Sequence, residues 1–157
     1  MASICGSGVP MFEQTHSTLD DGHECVFVFA RERVSVGRLS AALDCWLPDC
    51  GVPEPVLRSM QVICDEVLAN ALDHCGGVEA PVHLRMAVAQ HRVVAQFAYL
   101  GHSFDPQAKP KPDVHTPVSL RDMGGLGIHL IKSLSDLFEY HYRDGHHCLR
   151  IEKQYAD

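Results

Sequence analysis

The sequence of 157 residues lacks a run of eighteen apolar residues, a run of Lys or Arg, and any CxxC spacing among its seven cysteines. Without the apolar run there is no candidate membrane span. The formal net charge of -7 produces a field that repels phosphate backbones, so DNA and RNA are disfavoured as partners. An odd number of cysteines, with Cys25 inside an apolar run, is typical of a reducing compartment and predicts a cytoplasmic protein without a membrane partner.

The composition is that of one globular domain, with 46% apolar and 21% charged residues and no internal repeat. Residues 1–21 are mixed and rich in small and polar types, which predicts a flexible tail and leaves residues 22–157 as the domain. Strand patterns occupy residues 23–30, 82–88, 93–100, 138–142 and 149–153. Helical periodicity predicts three helices, over residues 36–47, from residue 53 or 55 to residue 75, and over residues 128–136. Because strands and helices are grouped and do not alternate, we expect an α+β sandwich with a mostly antiparallel sheet.

Residues 101–124 carry four of the nine prolines and show no periodicity. A connection of that length is uncommon as a passive loop in a compact domain, so we interpret it as a functional lid.

Two polar side chains of the second predicted helix, Glu66 and Asn70, are four residues apart and therefore share a face. An amide oxygen is a ligand for a hard cation, and a carboxylate accepts a proton from an attacking hydroxyl. The pair therefore suits a magnesium-nucleotide site. A solvated polar helix face would give the same spacing.

A glycine cluster, Gly124-Gly125-Leu126-Gly127, precedes the third predicted helix. Glycines let backbone N–H groups approach a phosphate at a helix N-terminus. The spacing differs from the P-loop pattern, and no Lys-Ser or Lys-Thr follows. A flexible hinge remains the alternative interpretation of this cluster.

Four ordered motifs resemble the GHKL ATPase superfamily, and within it the anti-sigma-factor serine kinases of partner-switching systems. The stretch 65–74 resembles the N-box, with Glu66, Asn70 and His74 at its spacing. Residues 101–106 resemble the end of the G1 box and the Phe-Asp-Pro that follows it. Residues 124–131 resemble the G2 box. The closing pattern also matches in order and spacing, with Asp136, Tyr140, Asp144-Gly145 and Leu149.

This resemblance implies a Bergerat-type fold, in which three helices cover a five-stranded sheet, and ATP and Mg²⁺ as cofactors. It implies that Glu66 is the general base and that Asn70 is a magnesium ligand. The other positions that it implies at the nucleotide are Asp73, His74, Tyr99, Gly101, Phe104, Gly124, Gly125, Leu126, Gly127 and Ile128.

The resemblance also implies a function and partners. Such kinases transfer phosphate to a serine of a small antagonist (anti-anti-sigma) protein and alternately hold a sigma factor, and a homodimer is a further expectation. Phosphorylation would break the antagonist contact by adding negative charge.

The sequence departs from the family at Tyr99, where the G1 box carries an aspartate that accepts a hydrogen bond from the adenine amino group. A degenerate GHKL fold that binds partners with weak or no use of ATP is therefore the alternative function.

Eleven histidines raise a metal hypothesis, and His146-His147-Cys148 beside His141 is the densest group. These residues alternate between the faces of a predicted hairpin, and their spacing fits no common zinc pattern. We therefore expect no transition-metal site there.

Overall fold

The computed structural model describes residues 12–19, 22–29, 36–73, 80–101 and 123–156. Its strands are β1 (Phe12–Leu19), β2 (Gly22–Phe29), β3 (Val82–Ala89), β4 (Arg92–Leu100), β5 (Leu137–Arg143) and β6 (His146–Gln154). Its helices are α1 (Val36–Asp49), α2 (Glu54–Asp73) and α3 (Met123–Leu134). No helix within these described ranges is both long enough and apolar enough to cross a membrane.

The six strands form one sheet in the order β1-β2-β3-β4-β6-β5, and every neighbouring pair is antiparallel. One face of the sheet, here called the inner face, is buried under the helices. Alternate residues of β2, β3, β4 and β6 point to it, as the period of two requires. On β4 the inner-face residues are Val93, Ala95, Phe97 and Tyr99. The predicted α+β sandwich of three helices on an antiparallel sheet is confirmed.

Two boundaries differ from the sequence analysis. Residues 12–19, assigned there to the tail, form β1, which pairs with β2 along its whole length and brings the sheet to six strands. Helix α3 begins at Met123, five residues before the predicted start at Ile128, so the glycine cluster lies inside the helix. Residues 1–11 and most of the predicted lid, residues 102–122, lie outside the described residues.

Helix α2 begins with Glu54 and Pro55, where a carboxylate meets the positive end of the helix dipole and a proline removes no helical hydrogen bond. Its apolar stripe is fully buried against the sheet and the other helices: Met60, Ile63, Cys64, Val67, Leu68 and Ala71. Gln61 joins α2 to α1, because its Nε2 donates to the Ser40 carbonyl at 2.9 Å while its Oε1 accepts from Arg58 at 2.9 Å.

The end of α3 is tied to the end of β6. The Asp136 backbone N–H donates to the Glu152 carbonyl at 2.8 Å, and Asp136 Oδ2 accepts from the Gln154 N–H at 2.7 Å. The opposite end of the sheet, where β4 finishes and β6 begins, is called the Gly101 end.

Candidate functional site

Glu66 of α2 lies directly against Gly127 of α3. A Cβ atom added to Gly127 would lie 3.3 Å from the Glu66 carboxyl carbon and closer still to one carboxylate oxygen. Gly127 is buried, and the adjacent Ile128 is only 4% exposed. The missing side chain at position 127 is therefore what leaves room for the Glu66 carboxylate beside α3.

Asn70, one turn beyond Glu66, is 7% exposed, and its side-chain Nδ2 has no hydrogen-bond partner in the described part of the chain. A buried amide donor without an acceptor costs about 1–3 kcal/mol, so this position is unfavourable unless a ligand completes it. A half-turn of the amide exchanges its donor and acceptor ends. Asn70 is thus not part of a solvated helix face, and either an anionic oxygen or a cation would satisfy it.

A second carboxyl group, Asp65, adjoins Glu66 on α2. Its Oδ1 is buried without a hydrogen-bond partner among the described residues. Burial, with a smaller contribution from the negative charge of Glu66, raises the pKa of Asp65 to about 6. The sequence analysis did not select Asp65. Strong perturbation of a carboxyl beside unpartnered polar atoms is typical of a functional site.

The glycine cluster supplies the first turn of α3, which begins at Met123. The first four N–H groups of a helix have no partner within it, and the cluster places two of them on Gly124 and Gly125. A site for an anionic group at this turn is therefore retained. Gly127 was predicted to precede the helix. In the structure it lies beyond the first turn of α3, against Glu66.

Tyr99 lies on the inner face at the Gly101 end of the sheet and is 4% exposed. It is directly opposite His147 of β6 in the strand register. The two rings stack, with centroids 4.9 Å apart and planes 18° from parallel. His147 is 1% exposed, so the position that the resemblance gives to an adenine-binding aspartate is occupied by a buried pair of rings.

Two tyrosines of β5 complete the ring cluster around His147. The Tyr140 hydroxyl lies 3.1 Å from His147 Nδ1, and the Tyr142 ring meets the imidazole edge-on at 5.0 Å. The Tyr142 hydroxyl donates to the Gly101 carbonyl at 3.0 Å, and the Gly101 N–H donates to Gly145 at 3.1 Å. The Gly101 end is therefore fixed where the chain enters residues 102–122.

The structure thus brings together Glu66, Asn70, Gly127 and Ile128. It places Tyr99 and Gly101 at the Gly101 end of the sheet. Asp73 ends α2, and Gly124, Gly125 and Leu126 begin α3, but their side-chain positions are not described. His74 and Phe104 lie outside the described residues.

From the sequence, His147 was a candidate only as a metal ligand, and its contacts with Tyr99 and Tyr140 were not predicted. The alternation of β6 contains the relevant signal, because His147 shares the face of Leu149 and Ile151. Its contact with Tyr99 depends on the pairing of β4 with β6, which are not consecutive strands, so no local pattern predicts it.

The donor set fits a magnesium nucleotide. Within the described residues, no group of three or more His, Cys, Asp or Glu is arranged to hold a metal ion. Mg²⁺ is commonly held by one or two protein oxygens together with water and substrate phosphates. A half-turn of the Asn70 amide would put its oxygen where the buried Nδ2 now lies, and the first turn of α3 would supply N–H groups for a phosphate.

The chain was compared with curated proteins and with models of protein families. No curated protein matches the chain. A family model described as the histidine kinase-like ATPase domain matches residues 29–153. That match runs from the end of β2 into β6 and includes every site residue named above. The chain therefore belongs to the histidine kinase-like ATPase domain family, within the GHKL superfamily, and is a kinase-like ATPase domain.

Proposed function

We propose that this chain is an ATP- and magnesium-dependent serine-protein kinase that also acts as an anti-sigma factor or a similar switch protein. The observation that carries the proposal is the buried Nδ2 of Asn70, which has no hydrogen-bond partner among the described residues. It lies one turn from Glu66, whose carboxylate lies against Gly127 of α3. A structural polar pair would satisfy its own hydrogen bonds. This pair leaves a donor buried for something else to complete.

The residues divide the chemistry between them. Asn70 would hold Mg²⁺, and the N–H groups of the first turn of α3 would hold the phosphates. Glu66 would orient the serine hydroxyl and take its proton. Mg-ATP, when bound, supplies the γ-phosphoryl group that moves to the serine oxygen while ADP leaves. Phosphoryl transfer depends mainly on positioning and charge stabilisation, so this small set of side chains suffices.

The proposed partners are a small antagonist protein, whose serine accepts the phosphate, and a sigma factor that binds in its place, with the chain acting as a homodimer. Phosphoserine carries about -1.5 to -2 charges at neutral pH. Added to an interface with a chain of net charge -7, that charge weakens the antagonist complex and releases the kinase to its other partner. Such partners place the reaction in the cytoplasm.

The second candidate function is a partner-binding module that uses ATP weakly or not at all. The buried stack of Tyr99 on His147 favours it, because an aspartate at position 99 would accept a hydrogen bond from adenine and a tyrosine fills more space.

The test is to incubate the chain with γ-labelled ATP, Mg²⁺ and the small antagonist proteins encoded by its source genome. We expect label on a serine of one of them and none with Glu66→Gln, which keeps the shape of the side chain. Mg-ATP binding without labelling of any such protein would favour the partner-binding module.

A further inference from the structure

We infer that the sheet face opposite the helices binds an extended segment of a partner protein, in which a carboxylate and a small apolar side chain stand two residues apart. This face, here called the outer face, carries the other alternate residues of the same strands. The inference goes beyond the proposed function and does not depend on it, because Glu66 and Asn70 belong to a helix that packs on the inner face.

A groove of about 410 Å³ lies on the outer face, across β3, β4 and β6. Gln96 and Ala98 of β4 form its floor. Arg85 of β3 and Arg150 of β6 lie on either side of Gln96, each directly opposite it in the strand register. Neighbouring strands are about 4.8 Å apart, so the two arginines begin about 10 Å apart with Gln96 midway between them. The groove therefore runs along β4, with a guanidinium group on each side.

In both ion pairs at the groove, the arginine is the exposed partner. Arg85 donates to Glu24 through Nε and Nη2, and the two side chains are 58% and 14% exposed. Arg150 also donates through Nε and Nη2, to Glu152, and these side chains are 38% and 8% exposed. The residues that line the groove include two arginines and one glutamate, Glu139, and so carry a positive charge within a chain of net charge -7. The groove is therefore complementary to an acidic group.

The side chains around Gln96 keep hydrogen-bond donors for a ligand. An arginine has five N–H donors, and Nη1 of both Arg85 and Arg150 has no partner within the described ranges. The Gln96 amide forms no hydrogen bond with any described residue. A carboxylate over Gln96 would accept from this amide and from both guanidinium groups. Hydrogen bonds from arginine to a carboxylate are among the strongest in proteins.

One step further along β4, the floor of the groove changes from polar to apolar. Ala98 follows Gln96 by two residues on the same face, and its register neighbours are His83 of β3 and Cys148 of β6. Because the alanine side chain ends at Cβ, it leaves a recess between these two longer side chains. An extended segment repeats its side-chain direction every two residues, or about 6.8 Å, which is also the spacing from Gln96 to Ala98. A segment with its carboxylate over Gln96 therefore places a small apolar side chain over Ala98.

The test is a titration of the isotope-labelled full chain, followed by NMR, with the acetylated and amidated peptide Ala-Glu-Ala-Val-Ala-Glu-Ala. This peptide carries the motif in both chain directions. We expect saturable shifts of the Gln96 and Ala98 amide signals, with a Kd below about 1 mM. Peptides with Gln or Lys in place of each Glu are the matched controls, and they should bind at least about tenfold more weakly.

Two pairs of variants test the two halves of the groove. Arg85→Gln should weaken binding of the peptide by at least about fivefold, whereas Arg143→Gln changes an arginine outside the groove and should not. Ala98→Leu fills the recess and should abolish binding. Ala87→Leu makes the same change on the outer face of β3, outside the groove, and should leave binding unchanged. Thermal unfolding of each variant checks that it is folded.

Shifts that do not saturate, equal binding of the peptide that carries Lys, or unchanged binding by Ala98→Leu would overturn this inference. Shifts of the same amide signals when the protein alone is concentrated would show that a second copy covers the outer face, and they would overturn it as well. None of these results alters the proposed nucleotide function, which is tested by titration with Mg-ATP. The two proposals therefore fail separately.

Discussion

Gly127 and Glu66 determine each other's positions: the carboxyl carbon of Glu66 lies 3.3 Å from the point where a Cβ atom on Gly127 would stand. The colliding atoms belong to the flexible end of a side chain, so an added methyl group would displace the carboxylate and leave the helices in place. Gly127 lowers the stability of α3, because glycine is a poor helix former. Its missing side chain leaves the space in which the Glu66 carboxylate lies.

The first prediction tests the contact between Gly127 and Glu66 by measuring the free energy of unfolding. Gly127→Ala should gain little or nothing in the wild type, because the helix-propensity gain of about 1 kcal/mol is offset by the displacement of Glu66. In a Glu66→Ala background the same change should stabilise the protein by most of that gain. Urea unfolding of the four proteins gives the coupling free energy. Equal effects in both backgrounds would contradict the contact.

The second prediction tests the same contact by measuring phosphoryl transfer. Gly127→Ala should lower phosphoryl transfer to a serine by about a hundredfold, because the proposed base is moved from its position. Gly37→Ala in α1 is the matched control, since nothing lies within 4 Å of the added Cβ. The control should retain full activity. A fully active Gly127→Ala protein would show that the position of Glu66 does not matter to the reaction.

The third prediction concerns Gln61, whose buried amide joins α2 to the Ser40 carbonyl of α1. Gln61→Leu should lower the free energy of unfolding by about 1–3 kcal/mol, because it leaves a polar group without its partner. Ser59→Ala removes a hydroxyl that donates to the Pro55 carbonyl within the same helix and should change stability by less than about 0.5 kcal/mol. Chemical denaturation measures both, and equal losses would refute the bridging role.

The sequence predicted the core of this fold well and its ends poorly. The alternation around Leu84 and Phe97 was sufficient for β3 and β4, because those strands have one buried and one open face. Strand β1 was missed because it is an edge strand whose structure comes from pairing with β2. The start of α3 was missed because glycines disfavour helices locally, while packing of Gly127 on Glu66 favours this one.

Part of the candidate site could likewise be predicted from the sequence, and part could not. Glu66 and Asn70 were found because they lie one turn apart on one helix, where spacing alone decides which side chains share a face. The stack of Tyr99 on His147 was not predicted, because only the pairing of β4 with β6 brings these two residues together. That Asp65 Oδ1 and Asn70 Nδ2 have no hydrogen-bond partner among the described residues likewise appears only in the folded structure.

The fourth prediction is a pH dependence that arises at Asp65. Its folded pKa, about 6, lies above the ordinary aspartate value, so the folded state holds the proton more tightly than the unfolded state. The destabilisation that follows is absent below about pH 4, grows between about pH 4 and pH 6, and is complete above that range. Solvent screening of the partly exposed carboxyl reduces it to about 1 kcal/mol.

Asp65→Asn removes this titration, so the variant should be more stable than the wild type at pH 7 and lose that advantage at pH 4. Urea unfolding at four or five pH values between 4 and 8 gives the difference curve. A difference that is constant with pH would show that Asp65 titrates alike in the folded and unfolded states.

The central claim is that the face of α2 bearing Glu66 and Asn70 binds a magnesium nucleotide. Calorimetric titration of the wild type and of Asn70→Ala with ATP, in Mg²⁺ and again in excess EDTA, tests it most directly. We expect measurable, Mg²⁺-dependent binding by the wild type and none by Asn70→Ala, with both proteins unfolding cooperatively in urea. Equal affinity of the two proteins for Mg-ATP would contradict the claim, because the nucleotide would then bind elsewhere.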